Sequence, residues 1–459
     1  MKKKEKKERM VFADPTHRRL FILSAVVLAL VFVYLYLKMF DPNRLLVMRL
    51  KALSWRFTAV FIYNRVFMAL LFVNFVKLFV YALSARRPKP AVQDFRPFVT
   101  AVIPAYNEEK TIVDTVNSVL LSDYKKFNVI VVDDGSADKT YEILQKKFGD
   151  DPRVTVITQP NGGKSRALNN GIASAKGELL LLIDADTMIA KDAISLLVPH
   201  FKDPRVAAVS GNTRVSNVKN LITRFQRVEY IRDFNLIKNG MARFGAMAVV
   251  PGALGMWRKS EVIACGGFST DTLGEDRDLT MALMKNGCKV EFEPMSFSET
   301  EAPHNLKNFI RQRFRWTYAT LQCIAKYIRC TFNPKKKGLG MLLLPDLLIF
   351  QTILPLVTTL GFVSNLLYFD KYEFSLLAIS YGTSVITETL LFLLAKRITR
   401  EKIYALDFLS VLPQRIIYGV VCTFLLFKAV LYAFLGITVL WNKVERKGKE
   451  QSGPEETEP

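Results

Sequence analysis

The sequence predicts an α/β fold: a mixed, mostly parallel sheet with helices on both faces, inserted between N- and C-terminal membrane helices. Three observations predict it. Over residues 95–302, short β-branched runs alternate with amphipathic stretches of helical period, the pattern of repeated strand, helix, strand units. Over residues 1–94 and 339–442, apolar runs reach the length of a bilayer-crossing helix. A basic and aromatic segment, 303–338, separates the middle from the second apolar region, and that composition suits interfacial helices. Residues 443–459 are a polar tail.

At the N-terminal end, "LFILSAVVLALVFVYLYL" (20–37) is uncharged and long enough to span. No small-residue cleavage site follows it, so it reads as an anchor and not as a removed signal peptide. A second span is expected over 59–83, where Arg65 and Lys77 must snorkel or face protein. "MKKKEKKER" and "ARRPKP" argue for the cytoplasmic side, and Arg44, Arg49, Lys51 and Arg56 in the intervening loop argue against it. The 459 residues carry 64 Lys plus Arg against 42 Asp plus Glu, a formal charge of +22. Much of the excess lies beside apolar runs, which points to anionic lipid and not to nucleic acid; a nucleotide diphosphate is another anionic guest. The five cysteines form no CxxC pair and are odd in number. Neither a zinc site nor a disulfide framework is indicated, and a reducing cytoplasmic setting suits them.

In the middle region "FVTAVI", "NVIVVD", "VTVIT", "ELLLLID" and "VAAVS" read as buried strands, with "EEKTIVDTVNSVLLS" and "GKSRALNNGIASA" as helices between them. Ligands of such sheets gather at the carboxyl ends of the strands. "PAYNEE" follows the first strand, "DDGSADKT" the second and "DADT" the fourth. Asp133 and Asp134, with Gly135 allowing a tight turn, suit a ligand site and equally an ordinary capped strand-to-helix turn. Asp184 and Asp186 put two carboxylates within reach of one hard cation that also holds phosphate oxygens. A DxD triplet arises roughly once by chance in a chain of this size; its place at a strand end is what makes it informative. In "NGGKSRALNNGI", Lys164 and Arg166 occupy a first helical turn, where acids are the rule. A bound diphosphate explains them, and so does a solvated basic turn. Glu275, Asp276 and Asp278 of "STDTLGEDRDLTMAL" are ordinary first-turn acids, unless Asp276 is a general base. In "RQRFRWTY", Gln312, Arg315 and Trp316 fall on one helical face; read alone, the segment is a basic interfacial helix.

Taken in order, "DDGS", "DAD", "GED" and "QRFRW" resemble the membrane-embedded processive family 2 glycosyltransferases, the synthases of cellulose, chitin, hyaluronan and poly-N-acetylglucosamine. The resemblance covers the middle half of the chain. "QRFRWTYATLQ", "NPKKKGLGMLLLPDLLIFQ" and "WNKVERKG" look most like the bacterial poly-N-acetylglucosamine synthases. It implies a GT-A-like sheet in which Asp133 or Asp134 contacts the uracil or ribose of a UDP-sugar, with Tyr106 stacking nearby and Glu108 and Lys164 close to the nucleotide. Asp186, helped by Asp184, would hold Mg²⁺ or Mn²⁺. Asp276 matches the catalytic base and Glu275 stands beside it among the substrate-binding residues. Gln312 and Arg315 would meet the diphosphate, and Trp316 would form a platform under the acceptor sugar. The implied activity is processive, inverting transfer, with N-acetylglucosamine as the sugar, onto a β-linked polysaccharide extruded through the protein's own channel. The implied partners are the UDP-sugar donor, the growing polysaccharide, membrane lipids, and export or modification proteins. A single-transfer enzyme making a membrane glycolipid is the alternative, and a non-catalytic membrane scaffold a more distant one.

Departures from the family pattern are Gly274, where several relatives have threonine, and "VVPGALGMW", which lacks the aromatic and cysteine pattern of cellulose synthases. After Trp441 the short tail leaves no room for an appended regulatory domain of the cellulose synthase kind. Further spans are expected at 339–369, 374–395 and 416–440, the first of them broken or interfacial because of Pro345, Asp346 and Pro355. Five spans result, in a multi-pass protein of the cell membrane with a cytoplasmic catalytic domain. Five complete spans would put "NKVERKGK" outside, whereas a re-entrant segment would restore the positive-inside pattern.

Overall fold

Val99, Ala101 and Ile103 of strand β1 (Val99–Ala105) belong to one hydrophobic core and Val102 to another, and all four are fully buried. Alternation at period two sends neighbours to opposite faces, so this strand needs cover on both sides. Leu179 and Leu181 against Leu180 and Leu182, on β4 (Leu179–Leu182), repeat the division. The computed structural model describes residues 55–85, 95–359, 371–399, 403–437 and 439.

The remaining strands are β2 (Phe127–Asp133), β3 (Val154–Thr158), β5 (Thr187–Ile189), β6 (Val206–Val215), β7 (Gly255–Arg258) and β8 (Lys289–Thr300). They form one sheet in the order β3-β2-β1-β4-β7-β6-β8-β5. β3, β2, β1 and β4 run parallel, as do β6 and β8. The three antiparallel pairings all involve β7 or β5. All five expected strands are present in a mixed, mostly parallel sheet. β5, β7 and β8 were not expected. β5 and β7 are only three and four residues long, and β8 is a polar run with Lys289, Glu291, Glu293 and Glu299 among its residues. Glu291 and Glu293 flank the buried His200 imidazole, at 2.6 and 2.9 Å from its two nitrogens, which lets charge sit inside the domain.

Helices α1 (Trp55–Ser84), α2 (Ile112–Leu120), α3 (Thr140–Phe148) and α4 (Lys164–Ser174) precede α5 (Leu221–Glu229). Asn220 and Thr223 close a capping box at the start of α5, and the helix continues through a π-helical stretch, Tyr230–Ile237, into Lys238–Arg243. α6 (Glu275–Lys285) and α7 (Leu306–Tyr327) complete the sheet-bearing half. α7 is the "RQRFRWTY" helix, and it lies between two partners. Towards α6, Asp278 accepts from Tyr327 Oη and Lys326 Nζ, both at 2.7 Å, and the Leu273 N–H donates to Gln322 Oε1 at 2.9 Å. Towards the last helix, Phe314 meets Tyr432 edge-on at 5.4 Å and Tyr318 Oη donates to the Ile437 carbonyl at 2.9 Å.

Among the described residues, two helices are long and apolar enough to cross a membrane: α8 (Leu339–Thr359) and α10 (Ala405–Phe434). α9 (Lys371–Thr399) and α1 are helical where spans were expected, but their apolar stretches, Tyr381–Ala395 and Ala69–Ser84, are shorter. The expected span at 20–37 lies outside the described residues. α8 accommodates Pro345 by π-helical turns over Leu339–Leu343 and Asp346–Ile353. α10 begins eleven residues before the expected 416, because Asp407 and Arg415, which interrupt the apolar run, are neutralised by protein partners: Arg224 and Arg227 for the first, Glu388 for the second. Lys77 on α1 and Asp346 on α8, two ions in apolar helices, pair with each other, and Lys77 also lies 4.2 Å above the Phe350 ring. Each charge is the reason the other is tolerated.

Candidate active site

The loops after β1 and β2 are stitched together before any ligand is considered. Asn107 takes a left-handed conformation, φ 55°, which an asparagine tolerates better than most residues. Its N–H donates to Ser136 Oγ at 2.9 Å, and its Oδ1 accepts from the Ala137 N–H at 2.7 Å. The Glu108 N–H donates to Thr140 Oγ1 at 2.8 Å. Tyr106 and Glu108 are thereby fixed at the sheet edge beside Asp133 and Asp134. Gly135 has φ +70°, and a Cβ there would stand 2.8 Å from the Asn161 nitrogen; only glycine fits the turn.

Asp133 and Asp134 do different work. Asp134 accepts from Gln159 Nε2 at 2.7 Å, from the Gly162 N–H at 2.9 Å and from the Gly163 N–H at 2.8 Å. It builds the loop that opens α4. Asp133 Oδ2 accepts longer bonds from Ser136 and Thr158, at 3.4 and 3.3 Å, while its Oδ1 is buried without a partner. A buried carboxylate oxygen left open is costly unless a ligand meets it.

The loop delivers Lys164, whose ammonium lies 2.6 Å from Asp184 and 2.9 Å from Glu275. Burial alone would lower the lysine pKa, but Asp184, Glu275 and Asp276 together raise it, so the cation is held charged. This ammonium joins three separate strand or helix ends: β4, α4 and α6. Asp276 lines the same cleft with Pro104, Trp257 and Gly252. Its Oδ1 accepts from its neighbour's N–H, Arg277, at 2.7 Å, and its Oδ2 a long bond from the Gly252 N–H at 3.4 Å. Burial and then the adjacent Glu275 charge push its pKa up, against the pull of Lys164 and Arg277. A Cβ on Gly252 would lie 2.7 Å from Lys164 Nζ and 2.8 Å from Asp184 Oδ1, so the backbone passes close under the ion pair.

Asp184 and Asp186 stand two residues apart after β4, with Asp186 accepting from Thr187 Oγ1 at 3.2 Å. No group of three or more acidic, histidine or cysteine ligands surrounds a single point among the described residues. Two carboxylates beside a cradle that a Cβ would fill match a hard cation that takes its remaining ligands from phosphate and water.

Gln312, Arg315 and Trp316 lie on α7 as the one-face spacing requires. Ala319, one turn on, faces the start of α6: a Cβ on Gly274 would meet its Cβ at 3.0 Å. Of the stripe 312, 315, 316, 319, Ala319 is the member that meets the start of α6, and Gly274 stands where a larger residue would crowd α7. Gln312 is buried with Oε1 unpaired. Trp316 packs against the buried cluster of Val215, Tyr230 and Ala302, as Phe234 does. Arg313, between the expected residues, has its guanidinium 4.4 Å from the Trp316 ring centroid and is held by Glu229 through bonds of 2.8 and 2.7 Å. Tyr418 of α10 also donates to Glu229. Burial would depress the arginine pKa, but Glu229 keeps it well above its ordinary value. Arg313, Glu229 and Asn107 escaped sequence reasoning; only Asn107 carried a local signal, as an asparagine in a strand-end turn.

Residues 100–262 match the model of glycosyl transferase family 2. The chain carries a family 2 glycosyltransferase domain. A poly-β-1,6-N-acetyl-D-glucosamine synthase of Staphylococcus aureus (strain COL) is 31% identical over 251 residues, 54% of this chain and 61% of that protein. The protein of the same name from Staphylococcus epidermidis is 28% identical over 325 residues, 69% of this chain and 79% of that one. The chain thus spans about three-fifths of the length of the S. aureus relatives it matches. A mannosyltransferase, PcManGT from Pyrobaculum calidifontis in complex with GDP-Man and Mn²⁺, superposes with a TM-score of 0.58 at 20% identity, over 75% of this chain and 99% of that one. At that identity the likeness speaks for the fold, and the family 2 domain has a GT-A-like neighbour.

Proposed function

We propose that this family 2 protein is an inverting polysaccharide synthase that adds sugars from a UDP-sugar, N-acetylglucosamine first among them, to a growing β-linked chain, processively and outward through its membrane helices. The observation that carries the reading is the Lys164 ammonium bound to Asp184 and Glu275 beside Asp276, which gathers donor-side and acceptor-side groups in one cleft. The relatives named poly-β-1,6-N-acetyl-D-glucosamine synthase support the sugar and the polymer.

In this reading Asp133 Oδ1 accepts the imide N–H of the uracil, and Tyr106 and Glu108 border the nucleoside. Lys164 donates to the diphosphate from the end of α4, where the helix dipole adds to its charge. Gln312 and Arg315 approach the diphosphate from α7. Asp276 accepts the proton of the attacking acceptor hydroxyl as that oxygen bonds to the anomeric carbon; its raised pKa makes it a stronger base than an exposed carboxylate. The UDP leaves with the electron pair of the broken C–O bond, so a single displacement inverts the anomeric centre. Trp316, with Arg313 on one face, stacks against the apolar face of the acceptor sugar. Asp186 and Asp184 are the residues that would hold Mg²⁺ or Mn²⁺, which supplies charge neutralisation for a departing diphosphate.

The test is UDP release from purified full-length protein with Mg²⁺ or Mn²⁺ and a panel of UDP-sugars. UDP-N-acetylglucosamine is expected to be turned over into long insoluble product, and Asp276→Asn to lower turnover by about 10²–10⁴. A lone glycolipid product would refute processivity. UDP release from none of the sugars would refute the assignment as an enzyme.

A further inference from the structure

Lys238 is the residue on this molecule whose surroundings most need explaining. It is 6% exposed and follows the π-helical stretch Tyr230–Ile237. Such stretches recur at functional sites, because the extra residue per turn re-aims the side chains beyond them. Tyr230, Phe234 and Lys238 are spaced four apart along it. The Tyr230 and Phe234 rings lie 4.3 Å apart, and the Lys238 Nζ stands 3.8 Å above the Phe234 ring. Phe234 packs in the same cluster as Trp316. The helix therefore brings a pair of rings to the cluster that Trp316 also packs against, and the row ends in the Lys238 amine.

That amine has no hydrogen-bond acceptor or ion-pair partner among the described residues. Three carboxylates act on it from beyond contact, Asp276, Asp233 and Glu229, and each is engaged elsewhere: Asp276 by the Arg277 and Gly252 N–H groups, Asp233 by Arg232, Glu229 by Arg313. Burial, and after it the repulsion of Arg277, bring the ammonium down to about 7. With the neighbouring carboxylates all engaged, the three donors of the amine are left to a ligand. The fields of Asp276 and Glu229 both reach it and Phe234 lies beneath it, which sets it on the acceptor side of the proposed base.

We propose that Lys238 is an acceptor-binding residue, donating a hydrogen bond to the acetamide carbonyl of a sugar that rests on Trp316. The proposal rests on the synthase reading above and adds a specificity to it. The amide carbonyl is the strongest neutral acceptor on an N-acetyl sugar, whereas the ammonium of a deacetylated unit would face Lys238 and Arg277 as a third cation. Lys238 thus favours acetylated chain ends over free-amine ones.

The experiment is calorimetric binding of N-acetylglucosamine oligomers, and of their deacetylated counterparts, to UDP-loaded full-length protein in detergent micelles. Wild type is expected to prefer the acetylated oligomer. Lys238→Met, which keeps the side-chain volume, should weaken its binding on the order of tenfold and remove the preference. Lys238→Gln, which retains an N–H donor, should keep part of both. UDP affinity is expected to be unchanged in either variant, which also reports that each is folded. Unchanged oligomer affinity and preference in Lys238→Met would overturn the proposal, the more plainly if its Tm rises as removal of a purely structural buried cation predicts. Wild type that binds oligomers with this lysine dependence but binds no UDP would sink the synthase reading and leave the lysine assignment standing.

Discussion

Replacing Glu229 by leucine removes the acceptor that holds Arg313 through two hydrogen bonds of 2.8 and 2.7 Å. The side chains are 8% and 14% exposed for Arg313 and Glu229, so water screens little of what remains, and a guanidinium left unpaired at such a site costs about 3–5 kcal/mol. Arg313→Met strands the carboxylate instead and falls in the same range of about 3–5 kcal/mol. The double variant strands neither charge. It loses the Tyr418 hydrogen bond to Glu229, worth about 1 kcal/mol, and the cation–π contact with Trp316, worth about 0.5–2 kcal/mol. The cycle should therefore close far from additivity, with the double variant more stable than either single one. The assay is denaturant unfolding in detergent micelles followed by tryptophan fluorescence. Additive losses would refute the reasoning, since they would mean that each charge finds water once its partner is gone. Sugar transfer should not recover with stability, because Trp316 has lost the group packed on its ring.

Asp134→Ala and Asp133→Ala should part ways: the first removes three hydrogen bonds from the Gln159–Gly163 loop and lowers Tm, while the second, measured by calorimetry, mainly weakens UDP binding. His200 gives a stability that depends on pH. Burial opposes its charge, but the hydrogen bonds it donates to Glu291 and Glu293, with their negative charge, outweigh burial and raise its pKa in the folded protein. A raised folded pKa means that the contribution is complete below the unfolded value of about 6.5 and is lost as pH rises through the folded value. Melting curves of wild type should fall over that window and those of His200→Gln should be flatter; parallel curves would contradict the assignment. Asp186→Ala should raise the concentration of Mg²⁺ or Mn²⁺ needed for half-maximal UDP release, and an unchanged requirement would remove it from the proposed ligand pair.

The strands buried on both faces were legible because each is a continuous apolar run, and the loops that follow β1, β2 and β4 were legible because charge there ends such a run abruptly. β8 was not, since its Glu291 and Glu293 look like solvent-facing residues until His200, some ninety positions earlier, is placed between them. The spacing of Gln312, Arg315 and Trp316 showed a shared face; Arg313, three before Trp316, is also within its reach, but nothing in that spacing singles it out from the other arginines. Its partner Glu229 and the Tyr418 hydroxyl come from distant helices, and no local pattern encodes such a meeting. The choice between Asp133 and Asp134 was equally closed to sequence: both sit in one turn, and only the Gly162 and Gly163 N–H groups, nearly thirty residues away, tell them apart.

Lys164 pairs with Asp184, one of the two carboxylates proposed to hold the ion. An incoming ion would compete with an internal ammonium for that carboxylate, whereas a diphosphate gives the ammonium a new anion and releases Asp184 at the same moment. Nucleotide and ion should consequently enter as a couple, each improving the other's affinity, and the empty protein should hold free divalent ions poorly. In the proposed reaction, product departure would run the same exchange backwards and return the lysine to Asp184.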